Sequence, residues 1–368
     1  MTILTKTKWH DMDLSKKSQE QVAGDNSTQN QVVGQQVNTT YNTNVTLNGP
    51  TIPDVVAFST TVSTQVTQQA LSLCTQVASD IASSRMNDFA SIWIPRIEKM
   101  EKAVENLKEP KFQFMLRDAN ITAAKSTRKE DLETLAELLA CQIEKGHDIK
   151  KSAGINRAIQ IVDQVDHDTL CGLAIIVTIL DIYPISGDIR KGLIVLNDLY
   201  SKLIVDGLPA TVDWIDNAIV VGTISILSGK FYHIDKLMES RLNGYICAGI
   251  KSDSEAYQKA KEILISNGYS VNLLIENELL PGYFRLKTQD ATTIKTELKP
   301  IVDLYSKDSN LINQAKQAFM TQWDSFESLN KIRVWFENLN VFFRINTTGI
   351  ALAQTYAKRC YKEFPDLI

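Results

Sequence analysis

The chain of 368 residues is short of the residue types that usually announce chemistry. Its four histidines stand far apart, at 10, 147, 167 and 233. Its five cysteines, Cys74, Cys141, Cys171, Cys247 and Cys360, form no CxxC pair. An odd number of scattered thiols argues against a disulfide framework or a zinc knuckle, and predicts reduced, mostly buried side chains. No HExxH, GxSxG or GxGxxG motif is present, which leaves metalloprotease, hydrolase and dinucleotide-binding readings unsupported. The longest apolar run, Leu170 to Leu180, is shorter than the ~18–20 residues that span a bilayer. The first residues, Met1 to Lys17, hold no apolar stretch of secretory type. These absences predict a cytoplasmic protein without cofactor or metal, more plausibly a non-enzyme than an enzyme.

Charge is the next shortage. Lys and Arg number 39 against 43 Asp and Glu, a formal net charge of −4. That balance offers no global attraction to nucleic acid and argues against it as a partner, although a local basic face remains open. Basic residues are missing altogether from Ser18 to Ser84, where Gln, Asn, Thr and Ser dominate. Such a tract is either a disordered leader or an element that gains order by assembling.

Two patterns favour assembly. Gln21-Val22-Ala23-Gly24 returns ten residues later as Gln31-Val32-Val33-Gly34. After it, Val37, Thr39, Tyr41, Thr43, Val45 and Leu47 alternate with Asn and Thr, the period-2 signature of a strand with one apolar face. A lone strand is unstable, but Asn and Gln amides bond their own copies when identical strands stack. Next, Val55, Phe58, Val62, Val66, Ala70, Leu73, Val77 and Ile81 step by three or four residues. A narrow apolar stripe with polar residues elsewhere reads as a coiled coil with copies of itself, and Pro53 suits its first turn. The stripe runs on through Phe89, Ile92 and Ile94 to Pro95, and a further amphipathic run passes Ile97, Met100, Val104 and Leu107. Val37, Tyr41, Val45, Leu47, Val55, Val62, Val66, Leu73, Val77 and Ile81 are the candidate oligomerisation residues, and a homo-oligomer through residues 18–94 is the expected partner state.

Beyond Pro110 the composition is that of an ordinary globule. Thr127 to Glu130 reads as a capping box opening a helix through Leu132, Leu135, Leu139 and Ile143. Ile155, Ile159, Val162 and Val165 mark another, and Leu193, Leu196, Leu199 and Leu203 a third. Leu170 to Leu180 is apolar all round, which predicts a central buried helix stopped by Pro184 and Gly187. Ala218 to Phe231 suits a hairpin, Ser254 to Ser266 a helix closed by Asn267-Gly268, and Ile312 to Leu339 one long aromatic-rich helix. The fold class is therefore mainly α, with a β-prone N-terminal repeat, a long coiled-coil helix and a multi-helix body carrying small winged-helix-like β elements. The expected units are 1–17 as leader, 18–52 for β self-association, 53–107 as coiled coil, 108–250 as helical body and 251–368 as C-terminal helical unit.

Three spots invite a site. Gly222 and Gly229-Lys230 resemble a phosphate loop, but six residues separate the glycines where four are required, and Phe231 stands where Ser or Thr would hold Mg²⁺. Asp163, Asp166, His167 and Asp168 form a His/carboxylate cluster that could ligate a metal, yet Asp at a helix start more often caps it. Lys145, Lys150, Lys151, Arg157, Lys358, Arg359 and Lys362 could meet phosphates, against the ordinary reading of solvated helix faces.

Gly24-Asp25-Asn26-Ser27-Thr28-Gln29-Asn30-Gln31 resembles the Asn/Gln/Gly-rich N-terminus of an uncharacterised family of bacterial proteins. Lys108 to Gln113 and Thr134 to Cys141 are similar to that family's first body helices, and Ile345-Asn346-Thr347-Thr348-Gly349 to its C-terminal LTxxG-like turn. The resemblance implies a helical body behind an assembling leader and carries no catalytic residues. Similar Gln/Asn/Gly tracts on bacterial conflict and phage-defence proteins imply self-assembly, with an unidentified protein partner or trigger. Val341 to Ile345, followed by a polar turn and a helix, also resembles the end of a winged-helix domain, which implies a nucleic-acid-binding regulator as the alternative. A hydrolase with a spatially assembled site is the third reading.

Overall fold

The computed structural model describes residues 4–6, 52–71, 76–100, 103–145, 148–228, 233–339 and 341–368. The expected strand from Val37 to Leu47 and the Gly24–Gln31 tract lie outside them. A short strand, β1 (Leu4–Lys6), pairs antiparallel with β2 (Ile182–Pro184).

The expected long helix is two helices. α1 (Ile52–Leu71) and α2 (Gln76–Ile97) pack on each other, and both lie on the body. The face turned inward departs from the stripe at Phe58, Val77 and Ile81, which are exposed, and rejoins it at Phe89, which is buried. In α2 the buried residues are Ala82, Met86, Phe89, Trp93 and Ile97, a helical stripe set one position along from Ile81. In α1 the buried side chains include polar ones, Ser59 and Thr67. Thr67 donates to the Ser63 carbonyl at 2.6 Å, and Ser63 Oγ donates to Asn120 Oδ1 at 3.0 Å. α2 also continues through Pro95 to Ile97 instead of stopping there.

The first layer of the body comprises α3 (Ala103–Lys108), α4 (Pro110–Lys125), α5 (Lys129–Lys145) and α6 (Ile149–Ile161). Leu132, Leu135, Leu139 and Ile143 are buried along α5, as are Ile155, Ile159, Val162 and Val165 along α6 and the turn after it. α5 begins at Lys129, and its start is organised by Ser126, Arg128 and Asp131 in place of the expected capping box.

α7 (His167–Asp181) is the centre. From Thr169 to Ile179 every residue is buried. A helix with no polar face must be covered on all sides. α8 (Ile189–Leu203), α9 (Asp213–Val220) and α15 (Thr347–Cys360) provide much of that cover. α15 opens on Asn346, whose Oδ1 accepts from Thr348 and Gly349 N–H at 3.0 and 3.1 Å while its Nδ2 donates to the Gly222 carbonyl at 2.7 Å. α10 (Ile234–Arg241), α13 (Ser309–Asp324) and α14 (Glu327–Glu337) complete this main core. The long aromatic helix expected over Ile312–Leu339 is broken at Ser325-Phe326. The corner is braced by Arg333, which donates to both Asp324 oxygens at 2.6 and 2.8 Å, and by Trp323 Nε1, which donates to the Leu329 carbonyl at 2.9 Å.

Ala218 lies within α9, so the expected hairpin over Ala218–Phe231 is part helix. β3 (Ile224–Ile226) pairs antiparallel with β7 (Phe343–Ile345), a strand more than a hundred residues away. A wing is a local hairpin, and this ribbon is not.

A second core, which the sequence did not announce, packs a sheet of β4 (Ile250–Lys251), β5 (Leu274–Glu276) and β6 (Tyr283–Leu286) against α11 (Glu255–Ser266) and α12 (Lys299–Asp303). The strand order is β4-β6-β5, antiparallel throughout. α11 starts on Ser254, whose side chain accepts from Tyr257 N–H, and ends before Gly268 at φ 73°, as the sequence predicts.

Gly172 in α7 lies against Trp214, and a Cβ there would sit 2.8 Å from the indole. Trp214 is itself buried and stacked on Trp335, 6.0 Å between centroids, so it has little room to yield. Gly172→Ala is expected to cost about 1–3 kcal/mol, read as a lower urea midpoint at unchanged slope. An unchanged midpoint would show that the indole is not wedged there.

Candidate functional site

Of the candidate oligomerisation residues, Val37, Tyr41, Val45, Leu47 and Leu73 lie outside the described residues. Val55 and Val66 fall within α1. Val62 is half-buried, while Val77 and Ile81 are 66% and 47% exposed and their stripe neighbour Phe58 is 41% exposed. The α1–α2 pair therefore presents bulky apolar side chains to solvent, while Ser59 and Thr67 are buried, Thr67 against Met86 of α2 at 3.7 Å.

The His/carboxylate cluster separates into different tasks. Asp166 Oδ1 accepts from Thr169 N–H at 2.6 Å and caps α7. His167, the first residue of α7, lines a cleft of about 460 Å³. Its lining includes Arg128, ahead of α5, and Arg359, near the end of α15. The first turn of α5 supplies Glu130 and Glu133, and Asp206 follows α8. Residues widely separated in the chain converge here because α15 packs against both α7 and α5.

Arg128 ties together the elements at the cleft. Its Nη2 donates to the Val162 and Val165 carbonyls at 3.0 and 2.6 Å and lies 2.9 Å from Asp131 Oδ1. Its Nε donates to Asp131 Oδ2 at 3.1 Å, and the Ser126 hydroxyl also donates to that oxygen. Asp131 is almost fully buried. Burial pushes its carboxyl above its ordinary value, and the Ser126 hydrogen bond and the Arg128 charge draw it back.

Two other polar atoms at the cleft are buried without a hydrogen-bond partner, His167 Nε2 and Arg359 Nη1. Both side chains rest on Tyr356. The His167 ring meets it edge-on at 5.6 Å, and the Arg359 guanidinium lies over it at 5.1 Å. The nearest acid to the imidazole is Asp206, 4.0 Å from Nε2, beyond hydrogen-bond range. A buried unsatisfied polar group typically costs about 1–3 kcal/mol.

The remaining sequence candidates are accounted for otherwise. Lys145 and Lys358 pair with Asp366 at 3.5 and 2.7 Å, and Lys150, Arg157 and Lys362 are exposed. Burial pushes the Cys141 thiol up to about 11 and the Cys171 and Cys247 thiols to about 12. They stay protonated at neutral pH and are weak nucleophiles. Among the described residues no three His, Cys, Asp or Glu side chains gather as a metal site, and no helix is long and apolar enough to cross a membrane.

A protein-family model whose description assigns no activity matches residues 59–367. The match begins after the Gly24–Gln31 tract. No curated protein and no solved structure matches the chain.

Removing the Arg128 side chain would strand the Asp131 carboxylate and two carbonyls. Arg128→Ala is expected to destabilise the fold by about 3–5 kcal/mol, measured by urea unfolding. Adding Asp131→Asn should recover part of that loss, because no charge then remains unpaired. Equal loss in the single and double variants would contradict the pairing.

Proposed function

The chain belongs to an uncharacterised protein family, the one whose model spans residues 59–367, and for this chain we propose a non-enzymatic role as a self-assembling protein. Residues 18–94 join copies, and the helical body engages a protein partner or trigger. The observation that carries this reading is the inversion of α1 and α2. Polar Ser59 and Thr67 are buried, Thr67 against Met86 of α2, while apolar Phe58, Val77 and Ile81 are 41%, 66% and 47% exposed. A bulky apolar side chain gains about 1.5–3 kcal/mol on full burial, and a symmetric pairing counts each one twice. That scale matches the ~4–15 kcal/mol lost in association.

Composition supports the same reading. Between Ser18 and Ser84 there is no Lys, Arg or His and few acids, so copies meet with little charge repulsion. The alternating segment from Val37 to Leu47 would then stack at the high effective concentration that assembly supplies. A place in bacterial phage defence rests on the likeness of the Gln/Asn/Gly-rich tract to assembling tracts of such proteins, an argument by analogy.

Val77→Asp combined with Ile81→Asp tests the proposal cleanly, because neither side chain is buried within one chain. Light scattering is expected to show an oligomer for the natural protein and a monomer for the double variant, with the same helix content by circular dichroism. A monomeric natural protein at tens of micromolar would overturn the reading.

A further inference from the structure

We propose that the cleft between α5, α7 and α15 is a binding site for a small oxyanion, a phosphate or carboxylate group held between Arg359 and His167. The argument begins with the two atoms that lack partners. Arg359 Nη1 and His167 Nε2 carry no hydrogen bond, both side chains are half-buried and ride on Tyr356, and both residues belong to the lining of the same cleft. At about 460 Å³ the space suits a metabolite-sized ligand. The start of α7 adds the partial positive charge of a fifteen-residue helix to the same end of the cleft.

Other groups of the cleft do not fill this role. Arg128 and Asp131 pair with each other, and Ser126 donates to Asp131. Asp206 stands 4.0 Å from the imidazole, which leaves the ring nitrogen unclaimed as a hydrogen bond. Glu130 and Glu133 also line the cleft. An anion carrying a donor or positive charge on its far side therefore fits better than a simple polyanion. Inorganic phosphate tests the oxyanion pocket alone, and glycine, a carboxylate bearing an ammonium group, tests the pocket together with the glutamates of the lining. The site lies on the body and does not depend on assembly, so its test is separable from that of the oligomer.

The experiment is calorimetric titration of the full-length protein with phosphate and with glycine at constant ionic strength. Saturable binding of at least one is expected, weakened tenfold or more by Arg359→Gln and by His167→Asn. Arg359→Lys, which keeps the charge on Tyr356 but not the guanidinium geometry, should fall between, and its thermal melt reports whether the fold is kept. Lys362→Gln, an exposed charge on the segment just past α15, should leave affinity unchanged. Absence of saturable binding of either probe would overturn the proposal. So would binding that survives Arg359→Gln, or that falls equally in Lys362→Gln.

Discussion

A helix with no polar face imposes its own surroundings, and α7 is such a helix. From Thr169 to Ile179 it offers solvent nothing, so neighbours must cover it on all sides. α15 packs along it with Ala351, Leu352, Ala353, Tyr356 and Ala357 buried, and the Tyr356 hydroxyl reaches the Leu203 carbonyl at 3.3 Å. α9 covers another side with Trp214, which comes close enough to need glycine at position 172. Thr169 Oγ1 ties the helix start to the Trp214 carbonyl and Asn217 Oδ1 at 3.1 and 3.0 Å. α15 belongs to the far end of the chain, so the central packing is non-local, and the body must close on itself before α7 is shielded.

The cleft follows from that enclosure. The apolar middle of α7 is sealed, but its first turn reaches the surface where Arg128, Asp206 and Arg359 arrive on other elements. The side chains that seal α7 also set the polar edge, since Tyr356 carries both His167 and Arg359. The α1–α2 pair packs on α4 and α5, and none of its residues lines the cleft. The proposed assembly and the proposed ligand site thus draw on different side chains of one core.

What the sequence made legible was local. Leu170–Leu180 as a buried helix, the Leu193–Leu203 stripe, Ser254 with Asn267-Gly268 as helix ends, and the strand before Asn346 all depend on short-range pattern or capping chemistry. What stayed hidden depends on distant partners. The β4-β6-β5 sheet is built from strands of two to four residues, too short for periodicity. The break at Ser325-Phe326 has no proline and is held by Arg333 from the next helix. The Val55–Ile81 stripe has a helical period, but period alone does not say which face meets the body. Ala82 and Met86, on the adjacent face, took that role. Of the cleft, sequence pattern picked out His167 and Arg359 as residues without showing that they meet.

The central claim is that one core, organised by α7, carries an outer helical pair whose apolar side is completed by copies of the chain. Native-state hydrogen exchange along a dilution series tests it most directly. α7 amides should exchange only through global unfolding, the slowest in the protein. Amides of α1 and of the first half of α2 should exchange through easier local opening, and their protection should rise with protein concentration. Protection of α1 that is the same at every concentration would contradict the account, as would α7 amides that open before those of the outer pair.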